Sequence, residues 1–294
     1  MSTETATEPG DVFEQERPRL IGLAYRMLGT VSDAEDVVQD AWLRWHAVDP
    51  GQLVRPEAWL TTVTTRIALD HIRSTRRRRE TYVGSWLPEP LVSMDRPDDA
   101  VVLADSLRLG FLAVLDQLKP VDRAVFLLAD VFCVPFADIA DTVGKSESAC
   151  RQIASRARRR VRQPSVDRNP GSERTIVDAL MTAVAAGDID AVVATLAPDV
   201  VCIADGGANR RAARRPVVGP QRVARLLVNL ASRYTGQIAV DQATVNAEVG
   251  AVITIAGVVD LVTAFEVHGD RIAAIRMIRN PDKLLRVGSP VPLR

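Results

Sequence analysis

Arginine is the residue type with the clearest chemical potential in this sequence, because it falls in two dense clusters. The first comprises Arg66, Arg73 and the run over 76–79, and the second extends over 151–162. Guanidinium groups bind phosphates and base edges, and Trp59, ahead of the first cluster, is suited to stacking on an unpaired base. Both clusters favour nucleic-acid binding, although a charge run is often only a solvated surface.

The second cluster lies on a predicted helix-turn-helix. Residues 136–143 and 146–161 have helical periodicity, Ala140 is small where two helices would cross, and Gly144 permits a left-handed turn between them. Ser146 is expected to cap the second helix, whose first part would enter a major groove. The residues suited to base edges and phosphates follow on its exposed side: Arg151, Gln152, Ser155, Arg156 and Arg158. A helical hairpin with a basic end is the alternative.

The first cluster is predicted to continue an amphipathic helix that begins at Pro56. An earlier helix over 33–45 is expected to begin with a capping box of Ser32 and Glu35. Opposite its apolar stripe, that helix carries Asp36, Gln39 and Asp40, which suit a basic partner surface.

The composition changes along the chain. Prolines and a glycine interrupt the helical pattern over 81–99, which indicates a linker, and a helix is predicted over 101–118. A second polar linker covers 163–171. Helices and strands are then mixed: the predicted helices are 173–186, 189–196 and 220–233, and the predicted strands are 200–204, 237–245, 251–263 and 271–278. An all-α half followed by an α+β half indicates separate folding units.

Bulk composition narrows the class of protein. The 294 residues carry 37 basic and 37 acidic side chains, so the free chain should bind DNA weakly unless a partner completes the basic surface. The sequence has neither a signal peptide nor an apolar run of the ~20 residues that span a bilayer. Cys133, Cys150 and Cys202 lack metal-ligand spacing. We therefore expect a cytoplasmic protein without membrane contact, metal or cofactor.

Taken in order, the motifs of the first 165 residues resemble those of the extracytoplasmic-function sigma factors of bacterial RNA polymerase. Residues 32–44 (SDAEDVVQDAWLR) are similar to the helix that binds core polymerase in that family. The resemblance implies that Asp36, Gln39 and Asp40 touch the clamp helices of the β′ subunit, with the β subunit as a further partner.

The resemblance also assigns the two arginine clusters to promoter DNA. Residues 58–73 are similar to the helix that opens and reads the −10 element, and a base would be flipped near the loop over 47–55. The implied contacts are Trp59, Thr62, Arg66, Arg73 and Arg76. The helix-turn-helix is similar to the −35 reader, which implies contacts from Ser146, Arg151, Gln152, Ser155, Arg156 and Arg158.

Residues 173–294 resemble the SnoaL-like, or NTF2-like, fold, a curved sheet around a cone-shaped cavity. Three motifs resemble those of sigma factors with such a fused domain, the sigma J type: Trp86-Leu87-Pro88-Glu89-Pro90, Asp205-Gly206-Gly207 and Asn280-Pro281-Asp282-Lys283-Leu284. Ala208 stands where that type has a further glycine. The implied architecture is multidomain: an all-α region 2 domain over 10–82, a linker over 83–105, an all-α region 4 helix-turn-helix domain over 106–163, a linker over 164–172 and an α+β regulatory domain over 173–294.

The sequence therefore predicts a monomeric sigma factor without catalytic residues. Trp86 is expected to dock against the fused domain near Asp205 or residues 280–284, because a large apolar side chain in a polar linker needs a surface to cover it. Fold analogy alone suggests a small ligand in the cavity. Two alternatives are an enzyme using Asp205, Asp260 and His268 as acid and base, fused to a DNA-binding module, and a helix-turn-helix repressor. Neither needs the acidic helix, and turns explain Asp205 and His268 more simply.

Overall fold

The computed structural model describes residues 9–49, 53–80, 82–94, 105–161, 170–208, 210–234 and 236–288. Within these ranges the chain forms two compact units, one of the described residues up to 80 and from 114 to 161, and the other of those from 82 to 113 and from 170 to 288. The first is helical and the second mixes helices with one sheet, as predicted. The segment that joins the two helical modules in sequence belongs mostly to the second unit. Within the described ranges, no helix is long and apolar enough to cross a membrane.

The first unit begins with three helices, α1 (Pro9–Leu28), α2 (Val31–His46) and α3 (Pro56–Glu80). Their apolar faces bury large side chains such as Tyr25, Trp45 and Leu60. The predicted capping box is wrong, because α2 starts before Ser32. Gly29 ends α1 with a φ of 80°, and Thr30 is extended at the N-cap position and donates its hydroxyl to Asp33.

The rest of the first unit contains the predicted helix-turn-helix. It comprises α5 (Pro120–Phe126), a π-helical turn (Leu127–Val131), α6 (Phe136–Val143) and α7 (Glu147–Val161). Gly144 ends α6 with a φ of 66°, in the left-handed region. The Ser146 hydroxyl accepts the Ala149 N–H at 3.2 Å, so the predicted cap is present. Ile139, Ala140 and Ile153 are buried beneath the turn.

The helix predicted over 101–118 is shorter than expected. A short 3-10 helix (Asp105–Leu107) precedes α4 (Leu109–Asp116), and residues 101–104 lie outside the described ranges. The break comes where the backbone N–H of Leu109 is bound by a buried carboxylate of Glu248 rather than by the preceding turn.

The second unit is built on one seven-stranded sheet in the order β1-β4-β5-β6-β7-β2-β3. The strands are β1 (Val92–Ser93), β2 (Leu196–Asp205), β3 (Val217–Val218), β4 (Ile238–Val245), β5 (Glu248–Ile255), β6 (Val258–His268) and β7 (Arg271–Ile278). The stretch predicted as one strand over 251–263 is two, because Ala256 and Gly257 take positive φ and turn the chain. The linker contributes an unpredicted edge strand, β1, which pairs with β4.

Both faces of this sheet are covered. One face packs on α8 (Pro170–Ala186), α9 (Ile189–Thr195) and α10 (Pro220–Ser232) through buried residues such as Phe265 and Met277. The opposite face packs on the linker and on α11 (Pro281–Leu284), with Leu87, Leu109, Val262 and Ile278 buried together. The linker is therefore part of the core of the second unit.

Candidate nucleic-acid interface and linker contacts

An exposed acidic face runs along α2. Asp36, Gln39 and Asp40 are exposed, whereas Val37 and Val38 on the other side of the helix are buried. A groove of about 360 Å³ lies beside this face. Its lining residues are Phe13, Glu14, Arg17, Val38, Gln39 and Trp42. The face combines negative charge with an adjoining recess, which suits docking of a basic helical partner.

The side chains of α3 assigned to the −10 element already have partners in the first unit. Trp59 is half-buried on Trp45, with ring centroids 5.8 Å apart. Thr62 Oγ1 lies 3.0 Å from Thr142 Oγ1. Arg66 donates to the backbone carbonyls of Asp141 at 2.8 Å and Thr142 at 3.2 Å. Arg66 therefore satisfies carbonyls at the C-terminal end of α6, where a cation is favourable.

A second contact joins the same modules. Arg55 donates two hydrogen bonds to the Asp138 carboxylate, at 2.9 and 2.6 Å. The hydrogen bonding from Arg55 to Asp138 lowers the pKa of Asp138 and raises the pKa of Arg55. The helix that would read the −10 element and the first helix of the helix-turn-helix thus lie in contact within one unit. Arg73 pairs with Asp70 among the described residues, and the side chain of Arg76 lies outside them.

The predicted reading face of α7 is exposed but partly occupied. Ser146, Gln152, Ser155 and Arg156 are exposed. Arg151 pairs with Glu147 and lies over the Phe136 ring, 4.7 Å from its centroid. Arg158 donates to Asp130 at 2.7 Å. Arg156 has no ion pair among the described residues. To bind DNA, Arg151 and Arg158 would first have to release their carboxylate partners, Glu147 and Asp130, whereas Arg156 would not.

Asp205, at the end of β2, is the centre of the linker contacts in the second unit. Its carboxylate is fully buried and accepts the N–H groups of Leu87 at 2.8 Å and Gly207 at 3.1 Å. It also accepts the Lys283 ammonium at 2.7 Å and the Tyr82 hydroxyl. The hydrogen bond from the Gly207 N–H to Asp205, together with the φ of 59° at Gly207, defines the turn predicted for Asp205-Gly206-Gly207. Four donors therefore compensate the buried charge.

The three motifs singled out in the sequence meet at this carboxylate. The Lys283 ammonium lies 4.4 Å from the Trp86 ring centroid and donates to the Leu87 carbonyl. Asn280 donates to the Tyr82 hydroxyl at 2.9 Å and accepts the Asp282 N–H at 3.2 Å, which caps α11. The remaining motif residues are close by in sequence: Pro88, Glu89 and Pro90 are buried, as is Leu284, and Pro281 opens α11.

Tyr82 is a site residue that the sequence reasoning missed. It bridges Asp205 and Asn280, and burial together with its hydrogen bond to Asp205 raises its pKa, so it stays a neutral donor. The available signal was a lone tyrosine just ahead of the tryptophan motif.

A second holding point binds the far end of the linker. Asn246 accepts the Leu91 N–H and donates to the Leu107 carbonyl, each at 2.8 Å. Glu248 accepts the Leu109 N–H at 3.2 Å and the Arg108 guanidinium at 3.3 Å. Both residues are buried in the turn between β4 and β5 and at the start of β5. No motif marked these residues.

Glu248 and Glu266 both lie beside the buried Arg276, and their pKa values shift in opposite directions. Burial raises the pKa of Glu248 against the attraction of Arg276 and Arg108. Burial also acts to raise the pKa of Glu266, but the charge and hydrogen bond of Arg276, at 2.6 Å, outweigh it and lower that pKa. His268 pairs with Glu266 at 3.0 Å.

The three residues considered as acid and base have separate partners. Asp205 holds the linker, Asp260 pairs with Arg279 at 2.5 Å, and His268 pairs with Glu266. His268 ends β6, and Gly269 turns the chain with a φ of 62°, as the predicted hairpin requires. The described contacts do not join these residues into one acid–base pair.

Comparison with known proteins gives the following matches. The family model for sigma-70 region 2 matches residues 12–78, and that for sigma-70 region 4 matches residues 108–161. The ECF RNA polymerase sigma factor SigJ of Mycobacterium tuberculosis (strain ATCC 25618 / H37Rv) is 44% identical over 298 residues, which cover 96% of this chain and 94% of the relative. The probable ECF RNA polymerase sigma factor SigI of the same strain is 38% identical over 189 residues, covering 63% of this chain and 65% of the relative. The crystal structure of Mycobacterium tuberculosis SigJ has a TM-score of 0.76 at 40% identity, covering 95% of this chain and 99% of that one.

Proposed function

Because the chain belongs to the extracytoplasmic-function sigma factors of RNA polymerase, a family of transcription initiation factors, we propose that its fused second unit regulates promoter use in cis by holding the linker. The chain directs RNA polymerase to promoters. Neither an enzyme fused to a DNA-binding module nor a helix-turn-helix repressor fits this family. We place its work in the cytoplasm, with core polymerase and promoter DNA as partners of a monomeric chain.

The exposed acidic face of α2 supports the proposed binding of core polymerase. Asp36, Gln39 and Asp40 project from one side of a helix whose other side is buried. A basic surface on the β′ clamp helices would meet this face, and the β subunit would provide a further contact. Charge complementarity of this kind mainly accelerates and orients association. The groove beside Trp42 is lined partly by Glu14, Arg17 and Gln39 and gives a polar side chain of the partner a place to enter.

The two arginine clusters would then read the promoter. Trp59, Thr62, Arg66, Arg73 and Arg76 would engage the melted −10 strand by stacking and phosphate contacts. On α7, Arg156 and Gln152 are the exposed residues that suit base edges of the −35 element, and Ser146, Arg151, Ser155 and Arg158 would fix its register on the phosphates and neighbouring bases.

Promoter binding requires the first unit to open. Arg66 is held on α6 by hydrogen bonds from two of its five N–H donors to backbone carbonyls, and Thr62 is likewise engaged by Thr142. The Arg55–Asp138 pair adds a further, solvent-exposed contact between the same helices. Exposed ion pairs are weak, so polymerase has only a modest contact to displace. We infer that the free chain is closed and that core polymerase separates its two DNA-reading modules.

The second unit would restrain this opening through the linker. Asp205, Lys283 and Tyr82 hold one end, and Asn246 and Glu248 hold the other. A tethered contact acts at high effective concentration, so modest bonds keep the linker docked. A ligand in the second unit would shift the docking equilibrium if it bound only the docked form.

Run-off transcription with purified core polymerase tests the sigma assignment on the full chain. Asp40→Arg reverses a charge on the acidic face, and we expect loss of most pull-down of core polymerase and of most transcript. Asp270→Arg makes the same charge change in an exposed turn of the second unit and should leave both unchanged. Equal retention of polymerase by the two variants would remove the basis for the proposed contact.

A further inference from the structure

A polar cavity lies where the linker meets the loop that follows Asp205-Gly206-Gly207. Its volume is about 360 Å³, within the range of small-ligand sites, which begins at about 300 Å³. The linker contributes Val83 and Gly84 to its wall, and the loop contributes Gly206 and three arginines, Arg210, Arg211 and Arg214. The linker thus forms part of this cavity, and the alanines of its wall, Ala204, Ala212 and Ala213, also belong to or pack against the apolar core beneath α8 to α10.

The wall of the cavity is strongly basic. None of its lining residues is acidic, and Arg210, Arg211 and Arg214 are exposed. Only Arg210 approaches a carboxylate among the described residues, at 3.6 Å from Asp260, which is already bound by Arg279. Arg211 and Arg214 have no ion pair in the part of the chain that the structure describes. Three guanidinium groups around one recess repel one another, so an anion between them would be favourable.

The backbone of this loop is fixed before any ligand binds. The Arg210 N–H donates to the Gly206 carbonyl at 3.1 Å, and Arg279 donates to the Arg211 carbonyl at 3.1 Å. A Cβ on Gly206 would lie 2.5 Å from the Arg210 oxygen, so this approach requires glycine. A Cβ placed on Gly84 of the linker would lie 3.6 Å from the Arg214 Cα, so the linker backbone passes close to this loop. A preorganised loop loses little freedom on binding.

We propose that this cavity binds a small molecule with a diphosphate group and that binding strengthens docking of the linker. This inference rests on the proposed function, because it supplies a ligand for the docked state. Guanidinium groups bind phosphate oxygens through paired hydrogen bonds, and a diphosphate offers enough oxygens for several of them. The recess is concave and accepts a compact anion, whereas a DNA backbone needs an extended groove.

Coupling to the linker follows from the composition of the wall. Val83 and Gly84 complete the cavity only while the linker is docked, because Leu87 and Tyr82 are then held at Asp205. A ligand that contacts this wall binds the docked state in preference and stabilises it by mass action. The ligand would thereby lower the fraction of molecules in which the linker is free.

The test uses inorganic pyrophosphate as the probe and the full chain, at constant ionic strength. Titration calorimetry should show saturable binding with one site per chain. The double variant Arg211→Ala/Arg214→Ala should weaken it by about tenfold or more. The control Arg222→Ala/Arg225→Ala removes the same charge from exposed positions of α10 and should bind as the parent chain does. Absence of saturable binding, or equal weakening in both double variants, would overturn the site.

A second measurement separates this inference from the proposed function. Hydrogen exchange of the Leu87 amide should slow when pyrophosphate is added to the parent chain and should not respond in Arg211→Ala/Arg214→Ala. That variant, with no pyrophosphate added, should still support run-off transcription, because it leaves the linker contacts intact. If a short duplex DNA binds at these arginines and pyrophosphate does not, the cavity is a DNA contact and the ligand proposal fails. Loss of transcription in both the parent and the variant would instead count against the sigma assignment.

Discussion

At the scale of single residues, the most consequential group is the carboxylate of Asp205. It is buried with four donors, of which only the Lys283 ammonium is a formal charge. A buried ion pair contributes little compared with an apolar replacement, yet removal of one partner leaves the other charge unpaired. The linker therefore depends on both residues being present or both being neutral.

A double-mutant cycle over this pair should show strong coupling. Asp205→Asn and Lys283→Met should each weaken linker docking by about 3–5 kcal/mol, because each leaves a buried charge. The double variant should lose less than the sum by at least ~1 kcal/mol. Protection of the Leu87 amide from hydrogen exchange measures docking directly, and Asp270→Asn in an exposed turn is the control. Additive losses would mean that the two charges do not compensate each other.

The carboxylates around Arg276 should respond to pH in opposite ways. The lowered pKa of Glu266 means that its charged form stabilises the fold; this contribution is present above the unfolded value of about 4.5 and is lost as pH falls through the folded value. The pKa of Glu248 is raised instead, so its protonated form stabilises the fold. This contribution to the free energy of unfolding is lost as pH rises through the folded value. Denaturant unfolding near pH 7 and near pH 4 should therefore show that Glu266→Gln costs about 2–3 kcal/mol at the higher pH and less at the lower. The cost of Glu248→Gln should change in the other direction, and parallel changes would contradict one of the two assignments.

At the scale of elements, local sequence predicted helices better than it predicted where strands divide. The helix-turn-helix followed from Gly144, Ser146 and a 3.6-residue period, which are local signals. The division of 251–263 did not, because the turn uses Ala256 at a positive φ of 49°, a conformation that alanine rarely adopts. That strain is compensated by pairing of β5 with β6, which is non-local.

The linker shows more clearly that local sequence does not predict structure that depends on distant residues. Its prolines predicted the absence of a helix, none forms in its described residues 82–94, and Trp86 lies beside the Lys283 ammonium. Val92 and Ser93 became a strand only because β4 offers an open edge. The acidic face of α2 and the arginine clusters were visible in the sequence, but the partners of Arg66 and the role of Tyr82 depend on residues more than 70 positions away.

Asn246 should hold two segments of the chain, around Leu91 and around Leu107, at one point. Asn246→Gly keeps the positive φ of 51° without strain and removes the bonds to Leu91 and Leu107. We expect docking of these segments to weaken by about 1–3 kcal/mol, seen as faster exchange of the Leu91 amide. Ala247→Gly, at the next turn position with a φ of 61°, relieves strain and should not speed that exchange. Equal exchange rates in the two variants would show that the side-chain bonds of Asn246 are dispensable.

At the scale of the whole molecule, charge and reach determine when the chain engages a promoter. Its 37 basic and 37 acidic residues cancel, so long-range attraction of the free chain to DNA is weak, and polymerase bound at the proposed acidic face of α2 would strengthen it. The segment over 81–107 could extend to about 90 Å if released. While docked, its residues Leu91 and Leu107 are bound to the same side chain, so that most of this length is not available. Docking therefore limits how far the two DNA-reading modules can separate.

Release of the linker should consequently raise transcription. In run-off assays with core polymerase and the full chain, Lys283→Met should increase output by about threefold or more, because a loss of docking energy above ~1.4 kcal/mol raises the ratio of free to docked linker more than tenfold. Asp205→Asn/Lys283→Met restores charge balance, so its output should lie between that of the parent chain and Lys283→Met. Both variants leave the proposed polymerase and DNA contacts untouched, and Leu87 exchange on the same samples reports whether the linker is free. A variant with an unprotected Leu87 amide and unchanged or reduced output would show that the held linker does not restrain initiation.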